Sequence, residues 1–177
     1  MKNKSSKTIV RIALAVVVIA VCSWTAIPFA IPFTLQTFAV FLTLILLGGK
    51  RGTAAITIYV ISGVVGVPVF SGFKSGIAAI AGPTGGYIFG FILSGLTFWV
   101  FPKKDKLSLI FLACLAGLAV CYLCGSVWFW LVASGGSGAE GLIHAFSVCV
   151  LPYIAVDVIK IILAETVALR LKKMIDA

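Results

Sequence analysis

The sequence is poor in charge: of 177 residues only 11% are Asp, Glu, Lys or Arg, the acids number 5, and there is one histidine. A chain with so little charge cannot dress a globular surface for water, which excludes an ordinary soluble enzyme. A single histidine, His144, leaves little basis for a His-rich metal site or for His-based catalysis. No Gly-x-x-x-x-Gly-Lys-Ser/Thr segment occurs, so the chain carries no phosphate-binding loop and cannot itself hydrolyse ATP. The 5 cysteines include Cys121-x-x-Cys124, but that pair sits in a hydrophobic stretch with no His nearby. We read them as small apolar residues, without a disulfide framework or a metal centre.

What is abundant is apolar surface. Hydrophobic residues make up 62% of the chain and mean hydropathy is +1.21, against roughly 45–50% apolar residues in globular domains. A core of this size cannot absorb that surface, so the solvent is lipid and the class is all-α polytopic membrane protein. A span needs about 20 apolar residues, and a charge at its centre costs roughly 2.5–3.5 kcal/mol. The charge-free stretches, divided at prolines and glycines, predict one domain over residues 1–177, a bundle of six transmembrane helices at about 9–27, 35–48, 53–67, 84–101, 107–133 and 147–172. Residues 68–83 and 134–141, rich in Gly and Pro or in Gly alone, read as loops, and Pro152 as a bend in the last helix.

An even number of spans puts both termini on one side. The formal charge of +9 would suggest nucleic acid in a soluble chain, but its placement gives another meaning. Twelve of the 14 cations fall in the two termini and the two turns at Lys50-Arg51 and Lys103 to Lys106; Lys74 lies in an opposite loop and Lys160 inside the last span. The positive-inside rule then places both termini in the cytoplasm, with the cations facing anionic lipid headgroups and no nucleic-acid partner. The expected setting is a cell membrane crossed several times. Lys2 to Arg11 also looks like the start of a signal peptide, but no small-residue cleavage site follows, so the segment reads as a retained first helix.

Three groups of residues carry possible chemistry. Asp157 and Lys160 lie three apart in an apolar helix, with Tyr153 one turn earlier, so the three share a stripe in the outer half of the membrane. Ionisable residues inside a membrane are functional candidates by default, the bland alternative being a self-neutralising ion pair. Glu165, further round that helix, reads as snorkelling or pairing with Arg170. The second group is Gly82-Pro83-Thr84-Gly85-Gly86-Tyr87, where Gly86 and Tyr87 suit either ligand contact or packing. Gly82, Gly86, Gly90 and Ser94, and likewise Ala113, Gly117, Cys121 and Gly125, form small-residue faces for close helix approach. The third is the proline-bounded hairpin from Pro28 to Thr37, able to cap a cavity with Gln36 and Thr37 supplying neutral hydrogen bonds, or a tight turn with Thr34 simply capping a helix. A serine hydrolase built on Ser137 and His144 is the weak catalytic alternative, and a channel would need a polar stripe through the whole membrane.

Pro32-Phe33-Thr34-Leu35-Gln36-Thr37, Gly82 to Tyr87, and Pro152-Tyr153 with Asp157 and Lys160 occur in one order across nearly the whole chain, with Gly63-Val64-Val65-Gly66-Val67-Pro68-Val69-Phe70 between them. Together they resemble the BioY family, the biotin-binding S components of energy-coupling factor (ECF) vitamin transporters. The resemblance implies an outward-opening biotin pocket covered by the loops after helices one and three. It implies no cofactor in this chain, and partners comprising a second membrane subunit and two cytoplasmic ATPases that hydrolyse the ATP. Substrate contacts are implied for Asp157, Lys160, Tyr87, Gly86, Tyr153, Phe33 and Gln36, and more weakly for Lys74 at the valerate carboxylate. An S component for another vitamin, such as a thiamine or riboflavin precursor, is the alternative within the class. The family's helix-one pattern of alanines four apart is altered here: Ala13 is followed by Val17, and Ala13 and Ala20 are expected to share a face instead.

Overall fold

The computed structural model describes residues 2–28, 31–101, 106–133, 135–136 and 138–175. Lys103, Lys104 and Ser137 lie outside the described residues. The chain is mostly helical, with α1 (Lys2–Trp24), a small hairpin of β1 (Ala26–Ile27) and β2 (Phe33–Thr34), α2 (Gln36–Val65), a 3₁₀ turn (Ser71–Phe73), α3 (Ile77–Ala81), α4 (Gly85–Val100), α5 (Leu107–Ala133), α6 (Gly138–Cys149) and α7 (Leu151–Ile175). Among the described residues four stretches are long and apolar enough to cross a membrane: Ser6–Trp24, Gln36–Val65, Leu107–Ala133 and Glu140–Met174, with α4 a shorter apolar helix.

Several boundaries differ from expectation for identifiable reasons. Helix one stops at Trp24 because Ala26 and Ile27 pair antiparallel with Thr34 and Phe33. The predicted second and third spans form one hydrogen-bonded element, broken at Gly48 by a left-handed φ of 78° that a side chain would resist. The second segment then restarts at once, with Thr53 donating to the Gly49 carbonyl at 2.7 Å. Gly66, at φ 114°, closes α2 with its N–H on the Gly63 carbonyl. Residues 68–83 contain the 3₁₀ turn and α3, and the predicted glycine-rich loop ends at Gly138, where α6 begins. The bend near Pro152 is a break at Val150, so the expected single last helix is α6 plus α7.

Water-driven burial cannot hold helices together in lipid, so close packing must. The two small-residue faces meet each other. A Cβ on Gly90 would stand 3.0 Å from Cys121, one on Gly86 would strike the Cys124 carbonyl, and one on Gly125 would enter the Tyr87 ring. Ser94 bridges the seam, its single hydroxyl proton shared between the carbonyls of Gly90 (2.8 Å) and Gly117 (2.6 Å). The core beside it contains Phe41, Leu44, Ile56, Tyr59, Phe98 and Ile161, all essentially inaccessible. Ile9, Leu14, Val17, Leu131 and Ile159 point outward, the arrangement a lipid-solvated bundle requires. On α1, Ala13 is exposed whereas Ala20 is in the core, so the two do not form one outer face.

Candidate functional site

A cavity of about 310 Å³ lies beneath the hairpin, near the lower end of the roughly 300–1,000 Å³ typical of small-molecule sites. Its roof is the hairpin (Pro28, Ile31, Phe33) and the segment after α2 (Phe70, Ser71, Lys74). Its walls are the start of α2 (Gln36, Thr37), Thr84 with the α4 residues Tyr87 and Phe91, α5 (Leu118, Cys121, Tyr122) and α7 (Tyr153, Asp157, Lys160).

Local sequence explains how the roof is held. Ser23 and Tyr59 both donate to the Val69 carbonyl, the latter at 3.0 Å, and Trp24 donates to the Pro68 carbonyl at 2.8 Å while stacking on Phe73. Thr34 accepts from the Gln36 amide at 3.3 Å, one residue before the helix cap at Leu35. Tyr153 stacks on Phe33 with ring centroids 4.2 Å apart, and its hydroxyl donates to the Ile31 carbonyl while accepting from the Ile31 amide at 3.3 Å. One α7 residue thus latches the hairpin. Tyr153→Phe keeps the stack but loses both hydrogen bonds to Ile31, together at least about 1 kcal/mol. Hydrogen exchange at the Ile27 and Phe33 amides is therefore expected to rise about fivefold; unchanged protection would show that the latch does not hold the roof.

The polar wall is charged but internally neutral. Lys160 Nζ lies 2.8 Å from Asp157 Oδ1, and Tyr122 donates to Asp157 Oδ2 at 2.7 Å. Both ions are buried, Asp157 5% and Lys160 8% exposed, so their attraction is little screened by water. A carboxylate and an ammonium fixed this way offer a ligand an acceptor and a donor side by side, each able to form a charge-assisted hydrogen bond.

Phe33, Gln36, Lys74, Tyr87, Tyr153, Asp157 and Lys160 all line this cavity. Gly86 does not: it lies against Trp128 and the Cys124 backbone, where its missing Cβ is a packing requirement. Tyr87 faces the cavity but commits its hydroxyl to the Cys149 carbonyl at 2.9 Å. Glu165 neither snorkels nor pairs with Arg170; it is 8% exposed, and its Oε1 has no hydrogen-bond partner among the described residues. His144 is exposed on α6 and outside the cavity lining, so nothing there supports a hydrolase. The sequence reading missed Tyr122 and Tyr59, because a tyrosine in an apolar helix has no spacing relation to a partner that only tertiary packing supplies.

This is a membrane helix bundle with a roofed cavity and a buried donor–acceptor pair, the design of a protein that captures a small polar ligand within the bilayer. The family model described as "BioY family" matches residues 1–177, and the chain belongs to the BioY family. It is 38% identical over 170 residues to "Biotin transporter BioY" of Thermotoga maritima, covering 95% of this chain and 97% of that protein. It is 43% identical over 142 residues to "Probable biotin transporter BioY" of Pyrococcus horikoshii, covering 80% and 81% respectively. Its fold is that of a protein described as the S-component for biotin from an ECF-type ABC transporter, solved by crystallography at 2.1 Å, with a TM-score of 0.82, 24% identity, and 98% of this chain and 94% of that one covered.

Proposed function

We propose that this chain is the biotin-binding S component of an ECF-type importer, a transport subunit and not an enzyme. The observation that carries the reading is the Tyr122–Asp157–Lys160 cluster buried in a roofed cavity, in a chain whose curated relatives are named biotin transporters. Biotin's ureido ring has two N–H donors around one carbonyl. Asp157 accepts from a donor, Lys160 donates to the carbonyl, and the pair needs no charge on the ligand. Tyr153, Phe33 and Tyr87 supply aromatic surface for the ring and the valerate chain. Asp157 and Lys160 favour such a neutral head over the cationic ring of thiamine.

The single unit spans residues 1–177 and crosses the plasma membrane six times: α1, the two segments of α2 on either side of Gly48, α4, α5, and α6–α7 together. Both termini then lie in the cytoplasm beside the basic turns, and the cavity opens outward. ATP hydrolysis falls to two cytoplasmic partner subunits acting through a second membrane subunit, with no cofactor held in this chain.

Lys74 is exposed at the cavity roof, where its ammonium would meet biotin's carboxylate. Lys74→Ala is expected to weaken biotin binding about threefold at low salt and by less at 1 M, where the screening length falls to about 3 Å. Equal affinity of the two proteins at low salt would remove Lys74 from the site. The assignment of biotin is tested by thermal unfolding of purified protein with saturating biotin, thiamine or riboflavin in turn. Only biotin should raise the melting temperature, since a ligand at 100 times its Kd adds about 2.7 kcal/mol to the native state. A rise with thiamine or riboflavin and none with biotin would reassign the vitamin.

A further inference from the structure

Two tyrosines beside the cavity have hydroxyl protons whose direction is fixed by neighbours that only accept. Tyr59 Oη donates to the Val69 carbonyl at 3.0 Å, an oxygen that also accepts from Ser23 and can only accept. Its oxygen must then accept from Gln36 Nε2 at 3.1 Å. With the opposite amide orientation, Tyr59 would have to turn its proton to Gln36 and leave bare oxygens facing at Val69. The amide of Gln36 is thereby oriented. Gln36 is 6% exposed, lines the cavity, and its Oε1 takes no donor from the described residues.

The same logic holds on the facing wall. A carboxylate only accepts, so Tyr122 gives its proton to Asp157 Oδ2 and retains lone pairs alone. Lys160 has three N–H groups, of which one is on Asp157 Oδ1. The cavity therefore presents acceptors at Gln36, Tyr122 and Asp157, and donors at Lys160.

We propose that Tyr59 and Tyr122 are positioning residues that set the hydrogen-bond polarity of the cavity, so that it selects a neutral head group with two N–H donors around one acceptor. One donor goes to Gln36 Oε1, the other to the Asp157–Tyr122 pair, and the acceptor goes to Lys160. The inference rests on the biotin reading and adds to it a residue, Tyr59, that does not line the cavity and acts only through Gln36. An unpaired buried acceptor is costly, so a ligand lacking one donor should be rejected more strongly than its lost atom alone implies.

The test uses biotin and its two cyclic carbamate analogues, in each of which one ureido N–H is replaced by oxygen, with equilibrium binding to the wild type, Tyr59→Phe, Gln36→Met and Tyr122→Phe. The wild type should bind both analogues at least tenfold more weakly than biotin. Gln36→Met should erase the discrimination against one analogue and keep it against the other. Tyr59→Phe should reduce that same discrimination several-fold, because the Gln36 amide is then free to rotate, and Tyr122→Phe should reduce the other. These ratios are taken within one folded protein, so a general loss of stability does not move them. Analogues bound by the wild type as tightly as biotin, or ratios unchanged in all three variants, would overturn the proposal while leaving the biotin assignment standing. A folded wild type that binds no biotin would instead overturn the assignment beneath it.

Discussion

Lys160→Ala is expected to destabilise the bundle by about 3–5 kcal/mol and to abolish measurable biotin binding. Removing one member of a buried pair leaves the other charge without its counter-ion, and that penalty exceeds what the pair contributes when intact. Here the surviving group would be Asp157, 5% exposed, with only the Tyr122 hydroxyl left among its described partners. The double variant Asp157→Leu, Lys160→Met separates stability from function. Replacing a buried pair by apolar residues of similar volume is often neutral or stabilising, so this protein should unfold at or above the wild-type denaturant midpoint in detergent, yet bind no biotin. A double variant as unstable as Lys160→Ala would make the pair structural, since its loss would then damage the fold irrespective of charge.

Gly86→Leu should have the second largest effect, and on the fold before the ligand. Added methylenes in a packed interior typically cost about 1–3 kcal/mol, occasionally more. At Gly86 the obstacles are the Trp128 side chain and the Cys124 carbonyl, which lies 2.6 Å from where a Cβ would stand; a backbone atom cannot turn aside as a side-chain tip can. We expect α4 and α5 to separate and the unfolding midpoint to fall by an amount at the upper end of that range or beyond, with Gly86→Ala showing a smaller loss in the same direction. Had Gly86 served the ligand, Gly86→Ala would weaken binding at unchanged stability. Midpoint and affinity measured on the same preparation distinguish the two.

Spacing carried much of this site into the sequence. Tyr153, Asp157 and Lys160 sit one turn apart on an apolar helix, so their common face follows from helical period alone, and all three line the cavity. The two small-residue faces were visible for the same reason, although the sequence could not show that they pack against each other. Where the chemistry depends on elements distant in the chain, nothing local announced it. Tyr122 reaches Asp157 across 35 residues, and Tyr59 reaches Gln36 across 23. The start of α6 was hidden by the glycines at 135, 136 and 138, all with positive φ: they do make a turn, but the helix begins on the last of them. The position of Glu165 on a single helix does not reveal its burial, which comes from the helices packed around α7.

The central claim is that biotin occupies this cavity. It is met most directly by calorimetric titration of biotin into the purified, detergent-solubilised chain, run at two temperatures so that a vanishing enthalpy at one cannot hide binding. Saturable one-to-one binding is expected in the wild type and none in the double variant Asp157→Leu, Lys160→Met, which remains folded. Absence of heat at both temperatures from a folded wild type, or equal binding by the two proteins, would contradict it.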